Sequence, residues 1–376
     1  MSTPAPIATA GSELRLDPAA EALVFLGADH PIERIAVPEL ALREGEALVA
    51  VELATVCASD RHTVQGRRRS PVPSVLGHEH VGRVVALGPG EPAAAIDGMP
   101  LSVGDRVVWG VAVACGECRT CRRGIPNKCE RLSKYGHEQN RRGWELSGGI
   151  ATHVHLLART PVVRVPDGLP AELLAPSSCA TATAAASLAA AEELRPLGAE
   201  TVLVSGSGML GLNAIAMAAE AGARVVAVDP DPSRRALAMD FGADAASEPG
   251  AEAIRSALAT VGSPAGFGVA IEASGAGGAI AALIETADVG ATIVLAGSVF
   301  TAPPVSVSAE TIVRRLLTIR GVHNYRPEHL VRGVEFLRRA DQGAFAALVG
   351  EVLPFAEAER ALTTTPTRGA RIGVRP

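Results

Sequence analysis

The spacing of apolar positions changes character near Pro170. Before it, short runs rich in branched residues alternate with Gly/Pro turns: 47–56 (ALVAVELATV), 81–88 (VGRVVALG) and 105–114 (DRVVWGVAVA). These runs predict a β-rich region. Beyond it the pattern becomes strand, glycine turn, helix, repeated. Strands are predicted at 201–206, 223–229, 268–275 and 291–297, with helices at 209–222, 233–242 and 279–288. Gly222 stands where a helix-ending glycine is expected. Strands alternating with helices imply a parallel, doubly wound sheet. After about Gly321 the pattern loosens, leaving one clear helix near 328–340. No repeat of 20 to 50 residues is present.

Length and composition agree with an α/β chain. The 376 residues favour two domains over one core. Hydrophobic residues at 48% against 20% charged describe an ordinary globular protein, and aromatics at only 3% suit strands packed with small branched side chains. A formal charge of −5 offers no basic surface for nucleic acid. The N-terminus lacks a basic segment followed by an apolar run, so no signal peptide is expected. The Ala-rich windows are broken by Glu192, Glu193, Glu220 and Arg224 before they reach a membrane span. The expected location is cytoplasmic.

Gly206-Ser207-Gly208-Met209-Leu210-Gly211 fits G-x-G-x-x-G after a strand and at the opening of a helix. The first glycine makes the turn, the second admits a pyrophosphate, and the third lets helix and strand approach; the helix N-terminus offers free N–H groups to phosphate. A tight structural turn is the simpler reading of the glycines alone. Asp229 ends the next strand, 23 residues after Gly206. A carboxylate there accepts from a ribose 2′-OH and repels a 2′-phosphate, which favours NAD over NADP. The alternative is a turn aspartate, and Arg234 and Arg235 would soften the discrimination.

Six cysteines occur. Cys115, Cys118, Cys121 and Cys129 form C-x2-C-x2-C-x7-C. Disulfides, free thiols and an iron–sulfur cluster are the alternatives; four thiolates on one zinc, saturating it in a structural site, is the reading preferred here. Two cysteines remain. Cys57 opens Cys57-Ala58-Ser59-Asp60-Arg61-His62, and Gly77-His78-Glu79 follows about twenty residues on. Singly, a buried cysteine is a small hydrophobe and a histidine a surface or capping residue.

Taken in order with Gly104-Asp105-Arg106-Val107, the cysteine loop, the glycine turn and Asp229, these segments resemble the medium-chain, zinc-containing alcohol dehydrogenase family over nearly the whole chain. The resemblance implies a GroES-like β-rich catalytic domain (1–171, carrying the zinc loop 115–129), a Rossmann NAD-binding domain (172–322), and a C-terminal return to the catalytic domain (323–376). It places Cys57, His78 and Cys179 on three ligands of a catalytic zinc, leaving one position open. There would then be two zinc ions per chain. Glu79 falls on a carboxylate beside the metal that in some relatives binds it transiently. Asp60 falls on the carboxylate that orients the His78 ring, and Thr183 on a nicotinamide contact. Ser59 would hydrogen-bond the reacting oxygen, and His62 would pass its proton through the cofactor ribose to solvent; their bland alternatives are a turn hydroxyl and a loop histidine. The backbone around Ser274 and Ala296 should line the cofactor cleft. A homodimer or homotetramer is implied.

The expected reaction is hydride transfer between an alcohol and NAD. Segments 134–138, 179–183, 208–212 and 321–325 resemble a branch described as phosphonate-catabolism-associated alcohol dehydrogenases. Arg67, Arg68, Arg69, His137, Arg141 and Arg142 would favour an anionic alcohol if they faced the site, and are otherwise surface charge or subunit contacts. A plain secondary alcohol or a polyol is the alternative substrate. A non-catalytic NAD- and zinc-binding protein is the alternative of another class. The stretch 89–102 (PGEPAAAIDGMPLS) departs from the family pattern and is expected to enlarge a surface loop.

Overall fold

The strand Ala47–Val56 is buried along nearly its whole length, which is why its sequence is apolar without alternation. In the computed structural model, which describes Ile7–Ala8 and residues 13–376, this strand is the centre of a seven-stranded sheet. Glu79–Leu87 pairs antiparallel along one edge. His153–Leu156 takes the first half of the other edge and Arg371–Arg375 the last. The sheet continues outward through Arg106–Trp109 and Val162–Arg164 on one side and Val349–Pro354 on the other. A four-stranded sheet built on Glu13–Phe25 and Glu33–Ala41 belongs to the same unit. That unit comprises Met1–Cys179 and Arg326–Pro376; the other is Ala180–Tyr325.

One local expectation in the first unit needs correcting and another is sharpened. The run 105–114 is not one strand: Arg106–Trp109 joins the large sheet, whereas Ala112–Val113 pairs with Ser133–Lys134. Gly110 is the break, its N–H donating to the Pro161 carbonyl. The stretch 89–102 is mostly exposed, but Ala95 and Leu101 are buried in the core and an Ala94–Pro100 bridge closes its base. It is a loop pinned at two points.

His153 is buried on the face of its strand opposite Val154 and Leu156, with Thr152 Oγ1 at 3.0 Å from its Nδ1. Burial lowers its pKa to about 4. The unfolded chain therefore binds a proton below about pH 6.5 that the folded chain refuses until about pH 4. Stability conferred by the neutral ring is intact above pH 6.5 and is lost as pH falls through this window, by up to about 3 kcal/mol. Urea midpoints at pH 7 and pH 5 should differ by more in the wild type than in His153→Gln. An equal difference would rule the residue out as the cause.

The second unit is a six-stranded parallel sheet in the order Ala245–Ser247, Arg224–Val228, Thr201–Ser205, Phe267–Glu272, Ala287–Leu295, Thr318–Gly321. This is the doubly wound order, reversing at Thr201–Ser205, and it bears out the Rossmann expectation. Helix Met209–Glu220 ends as expected, with Gly222 at φ +82°. Helix Ala180–Glu192 has no counterpart in the periodicity, because ten of its thirteen residues are buried and it carries no polar stripe. Helix Ala251–Thr260 and strand Ala245–Ser247 also went unpredicted. Among the described residues no single helix is long and apolar enough to cross a membrane.

Candidate active site

The central strand ends at Val56, and Cys57 follows as the N-cap of helix Ala58–Val64. Asp60, at the third helical position, closes the cap: its Oδ2 accepts from the Cys57 N–H at 2.9 Å. Its other oxygen lies 3.3 Å from His78 Nδ1 and accepts from the Gly77 N–H at 3.4 Å. One fully buried carboxylate thus fixes the backbone of Cys57 and the ring of His78. Gly77 has φ +92°, and a Cβ there would lie 2.8 Å from the Ile150 nitrogen, so only glycine admits this approach. Cys179 arrives from the turn Ala175–Ser178, held by Ser178 Oγ donating to the His78 carbonyl at 3.0 Å. The ligand atoms of Cys57, His78, Glu79 and Cys179 all lie within 4.8 Å of one another. Ser59 Oγ stands 3.4 Å from His78 Nε2, and His62 lies one helical turn beyond it.

Motif reading missed one participant. Arg371, on the last strand, is buried and forks onto Glu79: Nε donates to Oε2 and Nη2 to Oε1, both at 2.7 Å. Nη2 also donates to Cys57 Sγ at 3.3 Å, and Thr55 Oγ1 donates to Glu79 Oε2 at 2.7 Å. The register explains the meeting, since Thr55 opposes Glu79 and Val56 opposes Ile372. No local spacing signals it.

The donor set suits a divalent cation. The hydrogen bond from Cys179 holds the Cys57 thiol well below its ordinary range against burial, and the Arg371 charge adds to it. The same bond and burial push Cys179 well above. Burial opposes charge on His78, yet Asp60 and Cys57 raise its pKa to about 10. Protons shared among these groups supply positive charge that a zinc ion would supply in their place.

The four-cysteine loop forms a second cluster. Its sulfurs lie within 4.8 Å of one another, Cys115 and Cys129 at 3.4 Å and Cys118 and Cys129 at 3.8 Å. Backbone N–H groups of Cys115, Cys118 and Arg131 point at sulfur at 3.3–3.4 Å. The Thr120 hydroxyl and backbone N–H groups bring Cys118 down to about 5, while burial and its sulfur neighbours push Cys121 up to about 12. N–H groups aimed at sulfur favour thiolates, and four thiolates in one loop fit a closed tetrahedral zinc site.

In the second unit each motif glycine has its own reason. Gly206 has φ +98°, and a Cβ on it would meet the Ser274 nitrogen at 2.9 Å. A Cβ on Gly211 would lie 1.7 Å from the Gly206 carbonyl oxygen. Around Gly208 nothing lies within 4 Å of that position, leaving open space at the start of the helix begun by Met209 and Leu210. Asp229 is buried, with Oδ2 accepting from Ser207 N–H at 2.8 Å and Oδ1 from Asp231 N–H at 2.9 Å. Arg235 is tied to the Asp229 and Pro230 carbonyls, and Arg234 lies 4.0 Å from Asp231. Glu272 Oε1 accepts from the N–H groups of Ser274 and Gly275, shaping the loop after its strand. Ala296 N–H donates to the Glu272 carbonyl, and Thr183 sits in the first turn of Ala180–Glu192.

The basic residues separate. Arg67, Arg69, Arg141 and Arg142 are exposed; Arg67 bonds Gln65, and Arg141 lies over the Trp144 ring at 4.6 Å. Arg68 is half-buried, with Nη1 at 3.0 Å from His137 Nδ1, and the His137 ring lies 4.5 Å from that of His78.

Comparison with known proteins agrees with this organisation. Residues 43–167 match the alcohol dehydrogenase GroES-like domain and residues 210–339 the zinc-binding dehydrogenase family. The L-threonine 3-dehydrogenase of Photorhabdus laumondii is 31% identical over 313 residues, 81% of this chain and 84% of that protein. An alcohol dehydrogenase structure from Thermotoga maritima, 29% identical, superposes with a TM-score of 0.87 over 95% of this chain and 99% of its own. The alcohol dehydrogenase TADH from Thermus sp. ATN1 is 26% identical, with a TM-score of 0.77 over 94% of this chain and 99% of its own. With both domains matched in order and both cysteine clusters assembled, the chain belongs to the medium-chain zinc-dependent alcohol dehydrogenase family, whose cofactors are zinc and NAD.

Proposed function

We propose that Cys57, His78 and Cys179 hold the catalytic zinc of an NAD-linked alcohol oxidation, and that Cys115, Cys118, Cys121 and Cys129 hold a structural one. The observation that carries this is the convergence of the first three side chains with Glu79 on one small volume, at the end of the central strand. Bound there, zinc supplies Lewis acidity, bringing an alcohol's pKa toward neutrality. Asp60, held at Nδ1, keeps the His78 ring turned so that Nε2 is left to hold the metal. Ser59, 3.4 Å from that nitrogen, takes the hydroxyl proton, and His62 hands it on toward solvent. Glu79 stays paired with Arg371 and keeps its charge beside the donor set. Gly208 leaves room for the pyrophosphate, and Asp229 binds the ribose.

The reading extends to a small anionic alcohol, hydroxyalkyl phosphonates included, ahead of a plain secondary alcohol or a polyol. Arg68 supports it by its place beside the His78 cluster. Threonine, named as the substrate of several relatives, is itself a secondary alcohol bearing a carboxylate.

Zinc content and NADH absorbance on one preparation test the assignment. Two zinc ions per chain and alcohol-dependent reduction of NAD are expected; one zinc, or no NAD reduction with any alcohol, would overturn it. NAD should be preferred over NADP, and Asp229→Asn should narrow that preference by about tenfold or more, the worth of a charge-assisted hydrogen bond.

A further inference from the structure

Resting on the alcohol dehydrogenase reading, we infer that Arg68 and His137 form a specificity-determining pair that holds the anionic group of the substrate.

Arg68 carries donors only, so at 3.0 Å its Nη1 must donate to His137 Nδ1. That bond occupies the Nδ1 lone pair and places the ring proton on Nε2. The pair therefore presents an imidazole N–H and the remaining guanidinium N–H groups, all donors and none an acceptor. Such an array recognises a carboxylate, phosphonate or phosphate and rejects a hydroxyl-rich polyol only weakly.

No close ion pair neutralises its charge. Among the described residues neither Arg68 nor Lys134 lies within ion-pair distance of a carboxylate, although both are half-buried. Lys134, three residues before His137, has its pKa lowered by burial and by the charges of Arg68 and Lys128, which outweigh the opposing charge of Glu138. A positive field of this kind, beside a metal cluster, has an anion as its natural counterpart.

The backbone fixes the pair against the reaction centre. Gly136 has φ +73°, and a Cβ on it would lie 2.5 Å from the Gly77 carbonyl oxygen and 3.0 Å from the His78 nitrogen. The chain carrying His137 is thus packed on the chain carrying His78, which explains the 4.5 Å between their rings. Tyr135, fully buried, anchors the same segment by accepting from the Leu157 N–H at 2.8 Å. On the other side the Arg68 N–H donates to the His62 carbonyl at 3.0 Å, tying the arginine to the end of the helix that starts at Cys57. Both members stand on backbone already fixed to the donor set.

The test compares kcat/KM for 2-hydroxypropylphosphonate, L-threonine and neutral 2-butanol with NAD, in the zinc-replete wild type and in Arg68→Gln, Arg68→Lys and His137→Phe. The two alcohols that bear an anionic group should exceed 2-butanol by about tenfold or more, the worth of a hydrogen bond to a charged group. Arg68→Gln and His137→Phe should each cut that anion-over-neutral ratio by about tenfold, with Arg68→Lys between. The phosphonate and threonine arms tell the two anion classes apart. A wild type that prefers 2-butanol, or a ratio unchanged in Arg68→Gln, would overturn the pair. If no alcohol is oxidised, the dehydrogenase reading fails and the pair is read by calorimetry with methylphosphonate. Weaker binding by Arg68→Gln supports it, and equal binding removes it.

Discussion

Cys57→Ser and His78→Ala should each abolish alcohol oxidation while the protein stays folded and retains one zinc ion per chain. Both side chains belong to the donor set proposed above to hold a Lewis acid against the reacting oxygen. That acid is worth several kcal/mol at the transition state, so about a thousandfold or more in kcat/KM is expected. Cys118→Ser should behave differently. It also leaves one zinc ion, but the ion lost is the one that closes the loop 115–129, which contains only one short helix, Arg119–Arg122, and one short turn, Pro126–Lys128. The loop should then become sensitive to protease and the thermal midpoint should fall. Circular dichroism, zinc content and limited proteolysis on all three variants make the comparison. Equal unfolding in both sets would remove the division between a catalytic and a structural centre.

The second large effect lies at Arg371. Its fork satisfies both oxygens of Glu79, which is fully buried. Arg371→Met leaves that carboxylate buried and unpaired, and breaking such a pair costs about 3–5 kcal/mol. The midpoint of urea unfolding should shift accordingly. The double variant Glu79→Gln, Arg371→Met should recover part of the loss, because no charge is then stranded. Arg371→Lys keeps the charge without the planar fork and should fall between. Arg371 also donates to Cys57 Sγ, so zinc at the catalytic position should exchange faster with a chelator in Arg371→Met. A double variant as unstable as the single one would show that packing, and not the ion pair, sets the cost.

What was readable from sequence follows the range of the interactions. The four cysteines lie within fifteen residues, so their spacing alone implies convergence. The alternation after residue 200 is likewise local, and it led to the parallel sheet that the structure contains. Helix Ala180–Glu192 escaped because a helix buried on nearly every face has no period to detect. Arg371 escaped for a different reason: it meets Glu79 across 292 residues, through strand pairing that no motif records. Arg68 and His137 were visible only as members of two basic groups; their contact spans 69 residues and depends on the fit of Gly136 against Gly77. Charge can be counted along a chain, but which charge faces the centre is decided by backbone packing.

The position of Arg371–Arg375 beside the central strand has a consequence for biosynthesis. The unit that carries the candidate metal site is interrupted by Ala180–Tyr325, and one of its inner strands, Arg371–Arg375, is made only after that insert. During translation the inserted Rossmann unit emerges whole and is free to fold while the first sheet still lacks that strand. Glu79 then waits without its arginine, and Ala47–Val56 presents an open edge where residues 54–56 will later pair. The centre reaches its final form only after residue 371 has emerged, so the edge stays open to mispairing while the intervening residues are being made.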